Sequence, residues 1–556
     1  MSYLKRFGTL RVPQSAPIPD SGQVPNSAGG FAWPIDDWAQ FRRFLILGSE
    51  GGSYYASEAA LTRRNAKAVA RCVSEDGLRA VAEIVAVSTD GRAPKNDPAI
   101  LALALAAGRG DGETRKAALE ALPHVCRTST HLFQFATFVE AFRGWGRSLR
   151  RGIGRWYAGQ PVDALAYQAV KYRQRDGVTH RDLLRLAHPA GSVSSRNPTV
   201  EVSTGHERLF EWIVRGGATD GLPRIVEGFV RAQAASTPAE AATLVRDYRL
   251  PREAVPSEHL TSPDVWEALL EDMPMTALIR NLATMTRVGL LDAASDATAK
   301  AVAQLGDVER LRRARVHPIA VLAALRTYAS GRSARGRNEW RPVREIVDAL
   351  DAAFYTAFGN VEPSGGRLLL ALDVSGSMQA GSIAGVPGLS PRDASAALAL
   401  VTAATEERYE IVGFYAGRRG WAAGRARRQW YLGGDGLTRL DISPRQRLDD
   451  AVEAVANLPF GGTDCALPML YAQAKEKAVD TFVIYTDSET WAGDVHPARA
   501  LHDYRRASGI DARLVVVGMV SNGFSIADPA DQGMLDVVGF DTATPQLVSD
   551  FARGAI

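Results

Sequence analysis

The pattern of apolar residues changes near residue 362 of this 556-residue chain, and that change constrains the fold more than any other feature. Between residues 31 and 361, apolar side chains recur at i, i+3, i+4 and i+7, the spacing typical of amphipathic helices. Beyond residue 362, short apolar runs such as RLLLALD, TFVIYTD and ARLVVVGM alternate with helix-like segments. Strands that alternate with helices predict a doubly wound parallel sheet. We therefore expect a multi-domain protein, α-helical first and α/β afterwards.

Three segments follow from this pattern. A lead-in rich in Pro, Ser and Gly covers residues 1–30, the helical segment covers 31–361, and the α/β domain covers 362–556. Successive helices that each carry one apolar stripe must bury it on their neighbours, which favours an α-solenoid of paired helices. A compact helical bundle is the alternative.

Composition and cysteine usage narrow the class of protein. The chain is 46% hydrophobic and 23% charged, as ordinary folded proteins are. It contains no run of about 18 to 20 apolar residues, so we predict no membrane span. Cys72, Cys126 and Cys465 are widely spaced and lack a CxxC pattern, which argues against a disulfide framework or a zinc site. A reducing compartment fits, and we expect a cytoplasmic protein.

A set of oxygen-bearing residues follows the predicted strands. The first strand ends in Asp373, Ser375 and Ser377, Thr463 lies in a glycine-rich loop before a helix, and Asp487 ends a second buried strand. The carboxyl ends of parallel strands meet at one edge of the sheet, so these residues should converge there. Carboxylate and hydroxyl oxygens suit Mg²⁺ or Mn²⁺ better than zinc. We therefore predict Mg²⁺, or another divalent cation, as the cofactor.

This arrangement resembles the metal-ion-dependent adhesion site of von Willebrand A domains. The resemblance implies that Ser375, Ser377 and Thr463 coordinate through their hydroxyls, with Asp373 and Asp487 acting directly or through water. It also implies an open coordination position that a partner carboxylate fills, so binding is the expected role. A metal-dependent hydrolase is the alternative, in which Asp464 or Glu489 would activate a water molecule; only their proximity in sequence supports it.

A basic cluster lies between residues 141 and 190, where ten basic residues outnumber three acidic ones. Lys171 and Arg175 are expected on one helical face, with Gly177 ending that helix and Thr179 and Asp182 forming a capping box that starts the next. Cations at a helix junction can hold phosphates and stack unpaired bases. A solvated basic surface is the alternative. The candidate RNA-binding residues chosen from this cluster are Arg147, Arg150, Arg151, Lys171, Arg173, Arg175, Arg181 and His188.

Long stretches of the chain resemble the Ro60 family, in which a TROVE module precedes a von Willebrand A domain. They include QVPNSAGGFAW, KYRQRDGVTHRDLLRLAH, VEPSGGRLLLALDVSGSM and PFGGTDCALPM. The resemblance implies a ring of HEAT-like helical repeats and a Rossmann-like A-type domain. It implies that Y-type small noncoding RNA binds the outer surface and that single-stranded 3′ ends of misfolded RNAs enter the central hole. The RNA-binding positions of the family fall on Lys171, Arg175 and His188.

The resemblance further implies a non-catalytic, monomeric protein that acts in RNA quality control, maturation or degradation with an exoribonuclease such as polynucleotide phosphorylase. Two stretches depart from the family pattern: an Arg/Trp-rich insert at residues 417–436 and the region after PAGSVSSRNPTV, which begins at residue 201. A metal-dependent protein-binding scaffold without an RNA role is the main competing interpretation, and a metal-dependent nuclease is a third.

Overall fold

The structure, a computed structural model, describes residues 12–49, 57–175, 177–189, 202–314, 316–333, 337–358, 361–380, 382–383, 386, 389–416, 436–444, 446–456, 458, 461–540 and 543–556. The Arg/Trp-rich insert, apart from Gly436, and residues 190–201 lie outside these ranges. The chain forms two compact units. The first comprises Met1–Asn65, His317–Ala323 and Phe358–Ile556, and the second comprises Ala66–Val316 and Ala324–Ala357.

The amino-terminal residues form a small sheet and one helix. These elements are β1 (Val24–Pro25), β2 (Phe31–Pro34) and α1 (Asp37–Leu47). The Asp36 carboxylate accepts a hydrogen bond from the Ala39 amide, which satisfies an otherwise unpaired donor and starts α1. Helix α1 buries Phe41, Phe44 and Leu45.

The described residues in the middle of the chain form helices and a short hairpin, which agrees with the sequence pattern. The elements are α2 (Glu58–Glu75), α3 (Gly77–Asp90), α4 (Asp97–Arg109), α5 (Gly112–Val125), α6 (Ser129–Arg143), α7 (Arg147–Ala158), α8 (Val162–Lys171), β3 (Gln174–Arg175), β4 (Val178–Thr179), α9 (His180–Ala187), α10 (Thr204–Arg215), α11 (Arg224–Gln233), α12 (Pro238–Tyr248), α13 (Pro263–Glu271), α14 (Met275–Arg287), α15 (Asp296–Leu305), α16 (Val308–Arg313), α17 (Pro318–Ala329) and α18 (Arg344–Phe358).

Packing among these helices follows chain order. Helix α4 packs on α5 and α6, α5 packs on α7, and α7 packs on α9. Each helix therefore buries its apolar stripe mainly on the next helices along the chain, as in a stack of helical repeats. The predicted class of the helical segment is confirmed.

The basic segment after α8 differs from its predicted form. Helix α8 ends at Lys171, and Arg175 lies in β3, paired with Val178 of β4. The prediction that Lys171 and Arg175 share one helical face is therefore wrong. Residues Arg173–Arg175 are exposed, so continuing the helix would bury no apolar surface, and Gly177 takes a positive φ of 82° that suits the hairpin turn. The predicted capping box of Thr179 and Asp182 is confirmed at the start of α9.

The carboxyl-terminal residues form a sheet with helices. The elements are β5 (Leu368–Asp373), α19 (Gly376–Gln379), α20 (Pro391–Thr405), β6 (Tyr409–Phe414), β7 (Leu437–Leu440), α21 (Leu448–Ala456), α22 (Leu467–Ala474), β8 (Thr481–Thr486), α23 (Pro497–Ser508), β9 (Arg513–Gly518), β10 (Phe524–Ser525), β11 (Met534–Val538) and α24 (Thr544–Ala552). The sheet order is β11-β9-β8-β5-β6-β7, parallel except for the β6–β7 pair. The predicted doubly wound α/β class is confirmed, and β5 and β8 lie side by side at its centre.

The first 65 residues belong to the same compact unit as this sheet, although the sequence pattern groups residues from 31 onward with the helical segment. Strand β2 pairs antiparallel with β10, so that Pro34 lies opposite Phe524. The side chain of Arg43 in α1 contacts Asp536 of β11 at 2.6 Å. These long-range contacts attach the amino-terminal elements to the sheet. In the part of the chain that the structure describes, no helix is long and apolar enough to cross a membrane.

Candidate functional site

The turn after β5 brings together the first three predicted metal ligands. Asp373 ends the strand and is fully buried, and the Ser375 amide donates to its Oδ1 at 2.9 Å. The Oγ atoms of Ser375 and Ser377 are 3.1 Å apart. Thr486, at the end of the adjacent strand β8, donates its hydroxyl to Asp373 Oδ2 at 2.7 Å. The two central strands therefore present a compact set of oxygen atoms at their carboxyl ends.

Backbone hydrogen bonds join this turn to the loop of Thr463, and that loop to the one that follows β8. The Gly376 amide donates to the Gly461 carbonyl at 3.3 Å, and the Trp491 amide donates to the Thr463 carbonyl at 3.1 Å. Thr463 is buried, as is Asp487, which accepts a hydrogen bond from the Glu489 amide at 3.0 Å and another from the Ser377 hydroxyl. All three loops thus meet at one edge of the sheet.

The two carboxyl groups of the site oppose each other's ionisation. Burial, and then the nearby charge of Asp487, raise the pKa of Asp373 to about 7. Burial likewise raises the pKa of Asp487, against the lowering effect of the hydrogen bond from Ser377. Neither carboxylate takes part in a salt bridge with any residue that the structure describes. A bound cation would offset both the cost of burying the two carboxylates and the repulsion between them, because it supplies a positive charge beside them.

The donor set fits a hard divalent cation. Two carboxylates and three hydroxyls are oxygen ligands of the kind that Mg²⁺ binds together with water. Among the described residues no cluster of three or more His, Cys, Asp or Glu side chains could hold a metal ion, so a site here depends on the hydroxyls of Ser375, Ser377 and Thr463. These observations support the predicted ligands, and Mg²⁺ binding stays a prediction.

The amino-terminal segment donates hydrogen bonds to Asp464 and Glu489, the two residues that the hydrolase alternative names as possible bases. Gln14 Nε2 donates to Asp464 Oδ1 at 2.8 Å. The amides of Ser27 and Ala28 donate to Glu489 Oε2 at 2.8 and 3.0 Å. Burial, and then the charge of Asp487, raise the pKa of Glu489 to about 8 despite these two donors. No sequence motif marks these contacts, because their partners lie more than 400 residues apart in the chain.

The predicted RNA-binding residues of α7 lie on its exposed face. Arg147, Arg150 and Arg151 are exposed, whereas Leu149 and Trp156 of the same helix are buried. None of these three arginines forms a salt bridge with the residues that the structure describes. Helix α7 packs on α9, which carries exposed Arg181, and His188 caps the end of α9 with a positive φ of 48°. The structure therefore places these residues on two neighbouring helices.

Lys171 lies between two aromatic rings. Its Nζ atom is 5.4 Å from the centre of the Tyr167 ring and 5.2 Å from that of Tyr172. Burial lowers the pKa of Lys171, but the two tyrosines and Glu253 outweigh burial and raise it overall. Lys171 is therefore a charged, half-buried cation.

Arg173 and Arg181 line a cavity of about 470 Å³ formed by α8, the β3–β4 hairpin, α9, α10 and α11. Trp212 and Phe229 contribute aromatic walls. The guanidinium carbon of Arg173 lies 5.2 Å from the centre of the Phe229 ring. Sequence reasoning chose the two arginines but missed Trp212 and Phe229, because an aromatic residue on the apolar stripe of a helix normally indicates core packing.

Lys171 lines a different cavity, of about 490 Å³. Four acidic side chains offset the cations of this second cavity: Asp163, Glu253, Glu271 and Asp272. Arg246 contacts Glu271 at 3.1 Å and Arg249 contacts Asp272 at 3.5 Å. The two cavities therefore differ in charge, and only the first presents cations without carboxylates among its described lining residues.

Taken together, stacked helical repeats and a parallel sheet with a DxSxS turn define a protein with a von Willebrand A-type domain. Residues 367–552 match the family model described as the Ro60 vWA domain, and residues 24–215 and 248–327 match the TROVE domain. The chain belongs to the Ro60 family.

Full-length relatives agree with this assignment. The chain is 42% identical over 557 residues to the RNA-binding protein RO60 of Deinococcus radiodurans, covering 100% of both chains. It is 36% identical to the RNA-binding protein RO60 of Caenorhabditis elegans, covering 98% of this chain and 92% of that protein. The crystal structure of the Deinococcus radiodurans RO (RSR) protein matches with a TM-score of 0.68, covering 94% of this chain and 100% of the other.

Proposed function

We propose that this chain is a non-catalytic RNA-binding protein whose basic surface on α7, the β3–β4 hairpin and α9 holds a structured small RNA. The observation that carries the proposal is the charge of α7. Its exposed arginines form no salt bridge with the described residues, whereas Arg215, Arg231, Arg246 and Arg249 each contact an acidic side chain. Cations without protein partners are available to neutralise phosphates. Two full-length relatives named as RNA-binding proteins support the same function.

The finer parts of the proposal follow from the family resemblance. The structured ligand would be a Y-type small noncoding RNA, and a misfolded RNA would enter by its single-stranded 3′ end. An exoribonuclease such as polynucleotide phosphorylase would be the protein partner, and the chain would act as a cytoplasmic monomer. Recognition should depend on shape and charge more than on base sequence, as is usual for double-helical RNA.

Crosslinking and sequencing of co-purified RNA tests the proposal. We would compare the wild type with Arg147→Ala/Arg151→Ala, which removes two exposed arginines of α7, and with a control, Arg246→Ala/Arg249→Ala, which removes two ion-paired arginines from the second helical cavity. We expect small structured RNAs to be enriched by the wild type and the control, and lost from the first variant. Equal enrichment by all three proteins would contradict the assigned surface, and no enrichment by any would contradict RNA binding.

A second function, capture of an acidic protein segment by a metal ion, is favoured by the geometry of the DxSxS turn. Asp373 and Asp487 are buried, without a salt bridge to the described residues, beside the three hydroxyls. The ion would be held by these five residues and would supply a Lewis-acidic position for a partner carboxylate. Affinity purification in Mg²⁺ and in EDTA, with Asp487→Asn as the variant, would identify such a partner. A partner retained in EDTA would exclude this function.

A further inference from the structure

The cavity lined by Arg173 and Arg181 has the size of a ligand site. Its volume of about 470 Å³ falls within the range of roughly 300 to 1,000 Å³ that small-molecule pockets occupy. It lies beside the hairpin that carries the proposed RNA-binding residues, and Arg173, Gln174 and Thr179 of that segment line it. A group bound there would lie within the proposed RNA surface.

The charge of the cavity favours an anionic ligand, as the backbone of a nucleic acid is, over a cationic or neutral one. Arg173 and Arg181 are both exposed, and neither forms a salt bridge with the described part of the chain. No carboxylate is found among the described lining residues. The second cavity, by contrast, sets four acidic groups against its five cations. An anionic backbone would therefore be attracted to the mouth of the first cavity and only weakly to the second.

The aromatic walls provide a surface for stacking. Trp212 is half-buried, and its ring meets the edge of Phe229 at 6.3 Å and 86°. The Phe229 face is covered by the guanidinium group of Arg173. The groups left to face a ligand are consequently the indole of Trp212 and the outer face of Arg173. Both stack well on planar heterocycles, since indole and guanidinium groups are flat and polarisable.

Polar groups line the rest of the wall. Gln174 is exposed, and its amide makes no side-chain hydrogen bond with any described residue, so it can both donate and accept. His180 is buried, with Nδ1 2.9 Å from the Tyr157 hydroxyl, and its Nε2 has no hydrogen-bond partner in the described structure. A planar ligand with edge donors and acceptors would match these groups.

We propose that this cavity receives one unpaired nucleobase of the bound RNA, which stacks on Trp212 and Arg173 and hydrogen-bonds to Gln174 while Arg181 contacts a neighbouring phosphate. This site rests on the proposed function. It adds a preference for RNA with an unpaired nucleotide, which charge alone does not produce. A bulged or looped nucleotide would bind there, whereas a continuous double helix would leave the cavity unfilled.

Two RNA hairpins that differ at a single position test the inference. One carries a bulged uridine, and the other carries an abasic ribose at the same place, so that charge and backbone are unchanged. Stacking on one aromatic side chain typically contributes enough to change affinity by about 10-fold or more. We expect the wild type to bind the abasic hairpin about 10-fold more weakly, and Trp212→Leu or Gln174→Ala to reduce this ratio. Arg215→Ala, on the same helix as Trp212 but outside the cavity, should keep it.

A photocrosslink locates the base directly. A hairpin with 5-iodouridine at the bulge should crosslink to the peptide containing Trp212 when irradiated with the wild type. Gln174→Ala lies in an exposed hairpin, so it keeps the comparison valid if Trp212→Leu does not fold. Equal affinity of the wild type for both hairpins, or crosslinks only to other peptides, would overturn the nucleobase site and leave RNA binding intact. Failure to bind either hairpin would overturn both proposals.

Discussion

Arg43 is almost completely buried, and the two terminal nitrogens of its guanidinium group donate to atoms far away in sequence. Its Nη2 donates to both oxygens of Asp536, at 2.8 and 2.6 Å. Its Nη1 donates to Asn522 Oδ1 at 2.8 Å and to the Phe524 carbonyl at 3.2 Å. A buried charge is costly unless an opposite charge lies beside it, so the ion pair with Asp536 holds α1 in one position against the edge of the sheet.

Replacing Arg43 by Ala should destabilise this part of the protein strongly. The substitution leaves Asp536 and Asn522 without their partner, and breaking a buried ion pair from one side typically costs about 3 to 5 kcal/mol. Hydrogen exchange of the β11 amides would report the loss as a lower free energy of opening. Arg42→Ala is the control, because Arg42 is exposed and surface charges contribute only about 0 to 1 kcal/mol. Similar small effects of both substitutions would show that the buried contacts contribute little.

His180 makes the stability of α9 depend on pH. Burial lowers its pKa to about 4, so the folded chain holds a neutral imidazole, while in the unfolded chain the pKa is about 6.5. The contribution of the neutral imidazole to the free energy of unfolding is present above about pH 6.5 and is lost as the pH falls towards 4. At pH 5 the loss should be about 2 kcal/mol. Hydrogen exchange at pH 7.5 and 5.0 measures the free energy of opening of the α9 amides. We expect it to decrease at pH 5.0 in the wild type and to decrease less in His180→Gln. Equal decreases in the two proteins would mean that His180 does not cause the pH dependence.

At the level of elements, the local sequence pattern predicted the strands in which every residue is buried. The runs LLLALD and TFVIYT form β5 and β8 because both faces of a central parallel strand are covered. The edge strands β7 and β11 were not predicted, since each is only partly buried and lacks a strong apolar run. The pairing of β2 with β10 was also missed, because register between segments so distant in sequence depends on tertiary packing.

The candidate sites divide in the same way. Asp373, Ser375 and Ser377 lie within five residues, so their convergence could be inferred from one turn and one strand. The nucleobase cavity could not, because Trp212 and Phe229 come from α10 and α11 and meet Arg173 only after the helices pack. The prediction that Arg175 continues the helix of Lys171 failed for a local reason. Residues 173–175 are exposed, so a helix there would bury no apolar surface, and a short hairpin forms instead.

The loops that follow β5 and β8 should be stabilised by Mg²⁺. In its absence the carboxylates of Asp373 and Asp487 repel each other, so Asp487→Asn should raise the unfolding temperature in EDTA while abolishing the response to Mg²⁺. Free Mg²⁺ at about 100 times its dissociation constant should stabilise the wild type by about 2.7 kcal/mol.

Differential scanning calorimetry of both proteins, with and without Mg²⁺, measures this difference. Asp511→Asn is the matched control, because the Asp511 side chain is fully exposed and should leave the Mg²⁺ response unchanged. A wild-type midpoint that does not move with Mg²⁺ would argue against a metal site at this edge of the sheet.

On the scale of the whole molecule, net charge and local charge predict different binding behaviour. The formal net charge is only +3, so the long-range attraction of the protein for a polyanion is weak. Residues 141–190 nevertheless carry ten basic residues against three acidic ones. RNA affinity should therefore depend on a few phosphate contacts at this surface and little on arginines elsewhere.

The salt dependence of RNA affinity distinguishes these contributions. Each neutralised phosphate contributes about 0.7 to 0.9 to the slope of log affinity against log salt concentration. Replacing Arg147, Arg150 and Arg151 together by Ala should reduce that slope by about 2 to 3, because all three are exposed and form no salt bridge with the described residues. A triple variant of Arg231, Arg246 and Arg249 removes the same charge from arginines that already contact acidic side chains, and it should change the slope little.

Fluorescence anisotropy of a labelled hairpin RNA from about 50 to 200 mM salt would measure both slopes. Equal reductions in the two triple variants would mean that total charge, and not the surface on α7, determines binding.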